Sequence, residues 1–184
     1  MKDRYLRNFN TINLAEQKRL YDSKVCIIGL GGLGGGVAEM LARTGVGSLV
    51  LVDGDFFKES NLNRQILCTE ELIGVSKADA AENRIKQINS SINIRKINSF
   101  LNGENGDHIL AESDLVVDCL DSVEARFILQ DAAKNAKIPI VSGAIAGTAG
   151  QVCTIFPDDP GFEKIYGKKG RKKAEGAEKN GHAF

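Results

Sequence analysis

The residues best suited to chemistry begin with a glycine-rich loop, GLGGLG, at residues 29–34. The loop fits the pattern G-x-G-x-x-G, follows an apolar run and precedes a helical pattern, which is the context that a nucleotide-binding fold requires. Glycines let the backbone approach a phosphate closely, and the start of the helix presents unpaired N–H groups to it. An acid follows about 20 residues later, where a carboxylate hydrogen-bonds ribose hydroxyls. The predicted nucleotide contacts are therefore Gly29, Gly31, Gly32, Gly34 and Asp53.

A second group of polar residues follows the next apolar run. Asn61, Arg64 and Gln65 come just after the carboxyl end of that predicted strand, which is the ligand edge of an open parallel sheet. Arg64 offers donors to phosphate oxygens, and Lys77, in the first turn of the next predicted helix, adds a second positive charge. Asp121 lies on the loop after a further strand, where a carboxylate can hold Mg²⁺ against nucleotide phosphates.

The glycine loop alone does not separate ATP from NAD. A dehydrogenase would need a proton-shuttling side chain near its nicotinamide, but His108 lies in a predicted surface segment and His182 lies near the end of the sequence. An arginine, a lysine and a metal-binding carboxylate around the nucleotide favour ATP-dependent activation instead. An NAD(P)-dependent oxidoreductase remains an alternative that explains the glycine loop and gives Arg64 and Lys77 no role.

The elements that must position these residues alternate between strand and helix patterns. Short apolar runs predict strands, and apolar residues at helical spacing predict helices, such as the face formed by Val37, Met40, Leu41 and Thr44. Helices are predicted over 13–22, 34–44, 76–89, 105–112 and 123–136, and strands over 24–28, 48–52, 93–98, 115–118, 139–142 and 151–156. This alternation requires right-handed crossovers. The predicted fold is α/β: a Rossmann-like, doubly wound, mainly parallel sheet with helices on both faces.

Composition indicates an ordinary globular protein. The 184 residues are 42% hydrophobic and 26% charged, with a formal net charge of zero and no tryptophan, so nucleic acid and membrane are not the expected partners. No apolar run approaches the roughly 20 residues that span a bilayer, and the polar start lacks the apolar core of a signal peptide. The expected location is the cytoplasm. Residues 1–156 are predicted to form an ATP-binding domain with an N-terminal helical arm, and residues 157–184 a flexible polar and basic loop or tail.

The four cysteines are Cys26, Cys68, Cys119 and Cys153, and no two of them form a CxxC pair. This spacing predicts neither a disulfide framework nor a zinc site. Three of the four lie in apolar runs and are predicted to be buried strand residues. Cys68 lies near the predicted nucleotide edge, where either an ordinary half-buried thiol or a reactive one would fit.

Taken together, these motifs resemble the ThiF/MoeB/HesA family, the bacterial relatives of ubiquitin-activating enzymes. The matching pieces are RYLRN, GLGGLG, VDGD, SNLNRQ, the lysine in GVSKAD, DCLDS and IVSGAIAGTAGQV, which cover residues 4 to about 156. The resemblance implies an ATP-dependent adenylyltransferase. Its substrate would be the C-terminal Gly-Gly carboxylate of a small ubiquitin-like sulfur-carrier protein of the ThiS or MoaD type, converted to an acyl-adenylate with release of pyrophosphate.

The resemblance also implies roles for individual positions. Catalysis would involve Arg64, Lys77, Asp121 as the Mg²⁺ ligand, and Arg7, which would reach the ATP of the other subunit in a homodimer; Arg4 is the nearby alternative. The implied nucleotide-binding set is Gly29, Gly31, Gly32, Gly34, Asp53, Asp55, Asn61, Arg64, Gln65, Lys77, Asp121 and Ser122. ATP and Mg²⁺ are the expected cofactors, and no zinc is expected.

The sequence departs from the family pattern in its cysteines. The two CxxC pairs that bind structural zinc in many members are absent, and no cysteine follows Phe156, where some members carry the one that accepts sulfur or forms a thioester. Two further alternatives remain open. One is a related ATP-dependent enzyme that acts on a carboxylate-bearing tRNA modification, for which the run GKKGRKK would be the support. The other is a non-catalytic nucleotide-binding relative.

Overall fold

Strands and helices alternate along residues 3–167, which are the residues that the computed structural model describes. In chain order the elements are α1 (Leu14–Asp22), β1 (Lys24–Ile28), α2 (Gly34–Thr44), β2 (Ser48–Val52), α3 (Lys77–Ile88), β3 (Asn93–Ile97), α4 (Gly106–Leu110), β4 (Leu115–Asp118), α5 (Val123–Ala136), β5 (Ile140–Ala146) and β6 (Ala149–Ile155). Short 3₁₀ helices span Asp3–Asn10, Glu59–Asn61 and Glu70–Leu72. Each strand and α-helix lies where the sequence predicts one, with shifts at the ends.

The six strands form one sheet in the order β3-β2-β1-β4-β5-β6. The pairs β3–β2, β2–β1, β1–β4 and β4–β5 are parallel, and β5–β6 is an antiparallel hairpin. The predicted Rossmann-like, mainly parallel sheet is thus confirmed. The strand order reverses between β1 and β4, and open sheets of this kind bind ligands outside the carboxyl ends of the strands at that point.

Helices cover both faces of the sheet because successive side chains of each strand point to opposite sides. Val25 and Ile27 of β1 belong to a buried cluster with α2 and α3. Cys26 and Ile28 of the same strand belong to a second cluster with α4 and α5. β1 is therefore buried on both faces, which explains why its sequence is a continuous apolar run.

The packing face of α2 differs from the predicted one. Met40, placed inward by its helical spacing, is 70% exposed, whereas Ala38 and Ala42 are buried. The helix starts so close to β1 that a Cβ on Gly34 would lie 1.8 Å from the Gly29 carbonyl oxygen. A helix held at this distance buries its small residues, and the hydrophobic pattern alone does not reveal that choice.

The N-terminal arm is anchored to the end of α3. Asn89 accepts a hydrogen bond from Arg4 Nη1 at 2.6 Å and donates one to the Tyr5 hydroxyl at 2.7 Å. The helix α1 that follows begins with the predicted N-cap, because the Asn13 side chain accepts from the Glu16 amide and Glu16 accepts from the Asn13 amide. This reciprocal pair is a capping box.

Residues 157–167 do not form the predicted flexible tail. Residues 162–167 are helical, and Phe162 is fully buried against Phe127, with ring centroids 6.2 Å apart. The Phe162 amide also donates to Gln130 Oε1 at 2.6 Å. The rest of the predicted tail, including its basic run and His182, lies outside the described residues. Across residues 3–167, no helix is both long and apolar enough to cross a membrane.

Candidate functional site

A cleft of about 460 Å³ opens at the carboxyl ends of β1, β2 and β4, where the strand order reverses. Of the residues predicted to bind the nucleotide, those that line it are Gly29, Gly31, Gly32, Asp53, Asp55, Arg64, Gln65, Lys77, Asp121 and Ser122. Gly34, Asn61 and Arg7 do not line it. Three loops that are distant in sequence thus meet around one cavity, because they all leave parallel strands at the same edge.

The glycine loop forms one wall of the cleft. Gly29 has a φ of +88°, a conformation that glycine adopts without strain, and the same residue allows Gly34 to approach from the next turn. The N-cap residue of α2, Leu33, has no side chain that can accept a hydrogen bond from the first turn. The N-terminal N–H groups of the helix therefore suit an anion in the cleft.

Asp53 holds this loop in place. Its Oδ2 accepts a hydrogen bond from the Leu30 amide at 2.7 Å, and its Oδ1 accepts one from the Asp55 amide at 2.8 Å. Each carboxylate oxygen has more than one acceptor site, so Asp53 can also accept from the hydroxyls of a ribose. The predicted ribose ligand is thus also a brace for the phosphate loop.

Asp55 and Lys77 form an ion pair within the cleft, with Lys77 Nζ 2.8 Å from Asp55 Oδ2. Lys77 is only 7% exposed, and Lys58 Nζ lies 3.9 Å from the other oxygen of Asp55. Burial alone would raise the pKa of Asp55, but the hydrogen bonds from Lys77 and the Phe56 amide, with the charges of both lysines, bring its pKa below the ordinary value. The pair is therefore ionised at neutral pH.

The segment with Asn61, Arg64 and Gln65 divides between structural and cleft-facing roles. Asn61 is buried, and its Oδ1 accepts from the Lys58 amide at 3.0 Å, so it closes a turn instead of facing the cleft. Arg64 is exposed, and its Nη1 donates to the Ser60 carbonyl at 2.8 Å. Gln65 is buried at the cleft wall, and its Oε1 has no hydrogen-bond partner within residues 3–167. A buried acceptor of this kind calls for a donor from outside the chain.

Asp121 and Ser122 follow β4. Ser122 is the N-cap of α5, with its Oγ accepting from the Ala125 amide at 3.1 Å. Asp121 is exposed to the cleft. In the part of the chain that is described, no group of three or more His, Cys, Asp and Glu side chains could hold a metal ion. Mg²⁺ is commonly held by one or two carboxylates with water and substrate phosphates, so the lone Asp121 carboxylate fits a metal that arrives with a nucleotide.

A second cavity, of about 770 Å³, adjoins the cleft and shares Gly32, Arg64, Cys119, Leu120 and Asp121 with it. Beyond this junction its lining is mainly small and uncharged, with residues of the β5–β6 hairpin on one side: Leu33, Val123, Arg126, Ala144, Ile145, Ala146, Ala149, Gly150, Gln151 and Tyr166. Asp121 and Arg64 therefore stand between a polar cleft and a mainly apolar groove.

Sequence reasoning missed several cleft residues. Ser99, Phe100 and Leu101 line the cleft because they follow the carboxyl end of β3, and their position after a predicted strand is the signal that could have identified them. Cys119 and Ala125 also line it. No motif marks these two, and only the folded chain brings them to the cavity.

The cysteines near the site are poor nucleophiles. Cys68 is buried and lines neither cavity. Burial, together with the charge of Asp118, raises the pKa of the Cys119 thiol to about 12, so it carries almost no thiolate at neutral pH.

Arg7 lies apart from the cleft, in the exposed 3₁₀ helix Asp3–Asn10. It could meet a nucleotide only in another copy of the chain, and its role in trans stays a prediction.

Comparison with known proteins identifies the surroundings of this site. The ThiF family profile matches residues 3–181. The molybdopterin-synthase adenylyltransferase of Escherichia coli is 41% identical over 140 residues, which are 76% of this chain and 56% of that protein. The sulfur carrier protein ThiS adenylyltransferase of Bacillus subtilis is 38% identical over 161 residues, 85% of this chain and 48% of that one. The chain thus spans about half the length of these curated relatives.

Among solved structures, the E. coli tRNA N6-threonylcarbamoyladenosine dehydratase TcdA in complex with ATP is similar, with a TM-score of 0.75 and 30% sequence identity. The match covers 79% of this chain and 61% of that one.

Proposed function

The chain belongs to the ThiF family, and on that premise we propose that it is an ATP-dependent adenylyltransferase. Its substrate is the C-terminal Gly-Gly carboxylate of a small ubiquitin-like sulfur carrier, of the kind named in the adenylyltransferase relatives. The observation that carries the proposal is the meeting of two cavities at Asp121 and Arg64. A nucleotide phosphate and a second substrate can each enter from a different side and meet there.

The polar cleft supports ATP as the first substrate. The α2 N-terminus and the two cations Arg64 and Lys77 offer donors to a triphosphate. Asp53 is placed for ribose, and the unpartnered Oε1 of Gln65 can accept a hydrogen bond from the nucleotide. One solved ThiF-like structure is a complex with ATP.

The adjoining groove supports an extended peptide tail as the second substrate. Its lining between Leu33 and the β5–β6 hairpin is largely small and uncharged, so a tail without bulky or charged side chains would lie there without desolvating protein charges. A Gly-Gly terminus meets this requirement, and its carboxylate would end at the Asp121 side of the groove.

The proposed reaction needs positioning and positive charge more than proton transfer. A carboxylate oxygen of the carrier attacks the α-phosphorus of ATP, a new O–P bond forms, and the bond to the β-phosphate oxygen breaks with release of pyrophosphate. The attacking group is already an anion, so no general base is required. Arg64 and Lys77 reduce the repulsion between the two anions; Lys77 does so by exchanging its contact with Asp55 for a phosphate. A magnesium ion at Asp121 would neutralise further phosphate charge.

Carrier-dependent exchange of labelled pyrophosphate into ATP tests the function. The protein is mixed with each of a panel of small Gly-Gly-tailed carriers, and each carrier has a matched version that lacks the terminal glycines. Exchange with one intact carrier and not with its truncated form is the expected result. Absence of exchange with every carrier would reject the proposal.

The second candidate is ATP-dependent activation of a carboxylate carried on tRNA. The similarity to TcdA at a TM-score of 0.75 favours it. The same exchange assay distinguishes the two functions, because tRNA carrying the carboxylate modification would then stimulate exchange in place of a protein carrier.

A further inference from the structure

The backbone of Leu120 is fixed on both sides. Its N–H donates to Asp118 Oδ1 at 2.9 Å, and its carbonyl oxygen accepts from Arg126 Nη2 at 2.5 Å. The Leu120 carbonyl belongs to the peptide bond that leads into Asp121, so these two contacts set the direction in which Asp121 leaves the end of β4. Arg126 therefore acts on the site without lining the nucleotide cleft itself.

Arg126 is only 4% exposed, and several elements hold its guanidinium at once. Nη2 also donates to the Gly143 carbonyl at 3.0 Å, and Nη1 donates to Ser142 Oγ at 3.2 Å. Nη1 lies 3.3 Å from Asp118 Oδ2. Burial raises the pKa of Asp118, whereas the hydrogen bond from Ser142 and the charge of Arg126 oppose that rise. A shift of the guanidinium would disturb β4, β5 and the Asp121 loop together.

The remaining contact of Arg126 comes from the far end of the described chain. Its Nη1 donates to the Tyr166 hydroxyl at 3.1 Å, and its Cζ lies 5.9 Å from the centre of the Tyr166 ring, within the range of a cation–π contact. Gln151 of β6 donates to the same hydroxyl at 3.3 Å. Tyr166 also borders the second cavity, so one side chain contacts both the groove and the arginine.

We propose that Tyr166 is a positioning residue for Asp121: by holding Arg126 from the groove side, it ties the placement of residues 162–167 to the backbone at Leu120. The catalytic importance of this link rests on the proposed function, but the link itself does not. A peptide tail in the groove contacts the same tyrosine. The fit of the tail against Tyr166 thus bears on the position of the carboxylate that attends the phosphates.

Amide hydrogen exchange at Leu120 tests the link independently of activity. Tyr166→Leu removes both the ring and the hydroxyl, and exchange at Leu120 should become about tenfold faster. Tyr166→Phe keeps the ring contact, and a rise of about threefold is expected. Ile165→Ala, on the same helical residues and 40% exposed, is the matched control and should leave the rate unchanged. An unchanged rate in Tyr166→Phe and in any folded Tyr166→Leu would overturn the proposal.

The catalytic consequence is read from pyrophosphate exchange with the same variants. Tyr166→Leu should lower kcat about tenfold and leave the KM for ATP unchanged, because the cleft wall that binds ATP is intact. A parallel rise in the KM for ATP, with faster amide exchange throughout the sheet, would indicate general loosening and reject the positioning role. If the unaltered protein performs no exchange with any carrier, the proposed function fails, while the Leu120 measurement still decides the link.

Discussion

Lys77 Nζ lies 2.8 Å from Asp55 Oδ2, so the lysine proposed to meet a phosphate is paired with a carboxylate of its own chain. The backbone strengthens this relationship, because the Lys77 amide donates to the Asp55 carbonyl at 3.0 Å. The pair therefore joins the start of α3 to the loop after β2. It holds a flexible, mostly buried side chain at the cleft, where it can exchange one anion for another.

Asp55→Asn should destabilise the fold, because it leaves the largely buried Lys77 charge without its counter-charge. A loss of about 2 kcal/mol in the free energy of unfolding at pH 7 is expected, measured by urea denaturation. Asp158→Asn, at an exposed aspartate outside both cavities, is the control and should change stability by less than about 0.5 kcal/mol. Equal urea midpoints for Asp55→Asn and the unaltered protein would contradict the prediction.

The stability of the Asp55 pair should depend on pH in one direction. The pKa of Asp55 is lowered in the folded protein, so the unfolded chain binds more protons than the folded chain between the two pKa values, and stability rises with pH there. The stabilisation is complete above the ordinary aspartate value of about 3.9 and is lost as the pH falls through the folded pKa. Urea midpoints of the unaltered protein and Asp55→Asn should thus converge in acid, and a constant difference would count against the ion pair.

Arg64→Ala and Asp121→Ala should each abolish carrier-dependent pyrophosphate exchange and leave the fold intact. Both side chains are exposed, so the free energy of unfolding should change by less than about 0.5 kcal/mol. Arg19→Ala, at an exposed arginine of α1, is the control for loss of a positive charge. Exchange at the unaltered rate in either variant would remove that residue from the site.

Two glycines of α2 should respond in opposite ways to alanine. A Cβ on Gly34 would lie 1.8 Å from the Gly29 carbonyl oxygen, whereas a Cβ on Gly36 would have no neighbour within 4 Å. Gly34→Ala should cost about 3 kcal/mol or more in stability, and Gly36→Ala should add about 0.5–1 kcal/mol because alanine favours the helix. Thermal unfolding of the two variants measures the contrast, and a Gly34→Ala protein as stable as Gly36→Ala would refute the close contact.

A trans role for Arg7 predicts complementation between two inactive proteins. In a mixed dimer of Arg7→Ala and Arg64→Ala subunits, one site has its own Arg64 and receives the intact Arg7 of the other subunit. Refolding an equal mixture should therefore restore about a quarter of the unaltered activity, since half of the dimers are mixed and each has one complete site. A mixture as inactive as its parents would exclude Arg7 in trans.

The sequence predicts the fold well where one local period dominates. The spacing of apolar residues placed α5 at the observed Val123–Ala136, and the continuous apolar runs placed β1 and β2 at their observed bounds. The glycine loop and the polar residues after the strands were brought to one cleft by a rule of parallel sheets, because the carboxyl ends of the strands share an edge.

Other features depend on contacts between distant segments and leave no local period. The inward face of α2 is set by the closeness of Gly34 to Gly29, so the apolar spacing that favoured Met40 was misleading. Likewise, nothing near Arg126 in the sequence indicates that its partner is Tyr166, forty residues later. The buried position of Phe162 was missed because its polar neighbours outweigh one aromatic residue in a compositional reading.

The brace between Asp53 and the Leu30 amide has a thermodynamic consequence. The shape of the phosphate cradle is inherited from folding, so a nucleotide needs to freeze little main chain when it associates, and its conformational entropy loss is correspondingly small. Stability and affinity then draw on the same hydrogen bond, and the cradle cannot be loosened without weakening both.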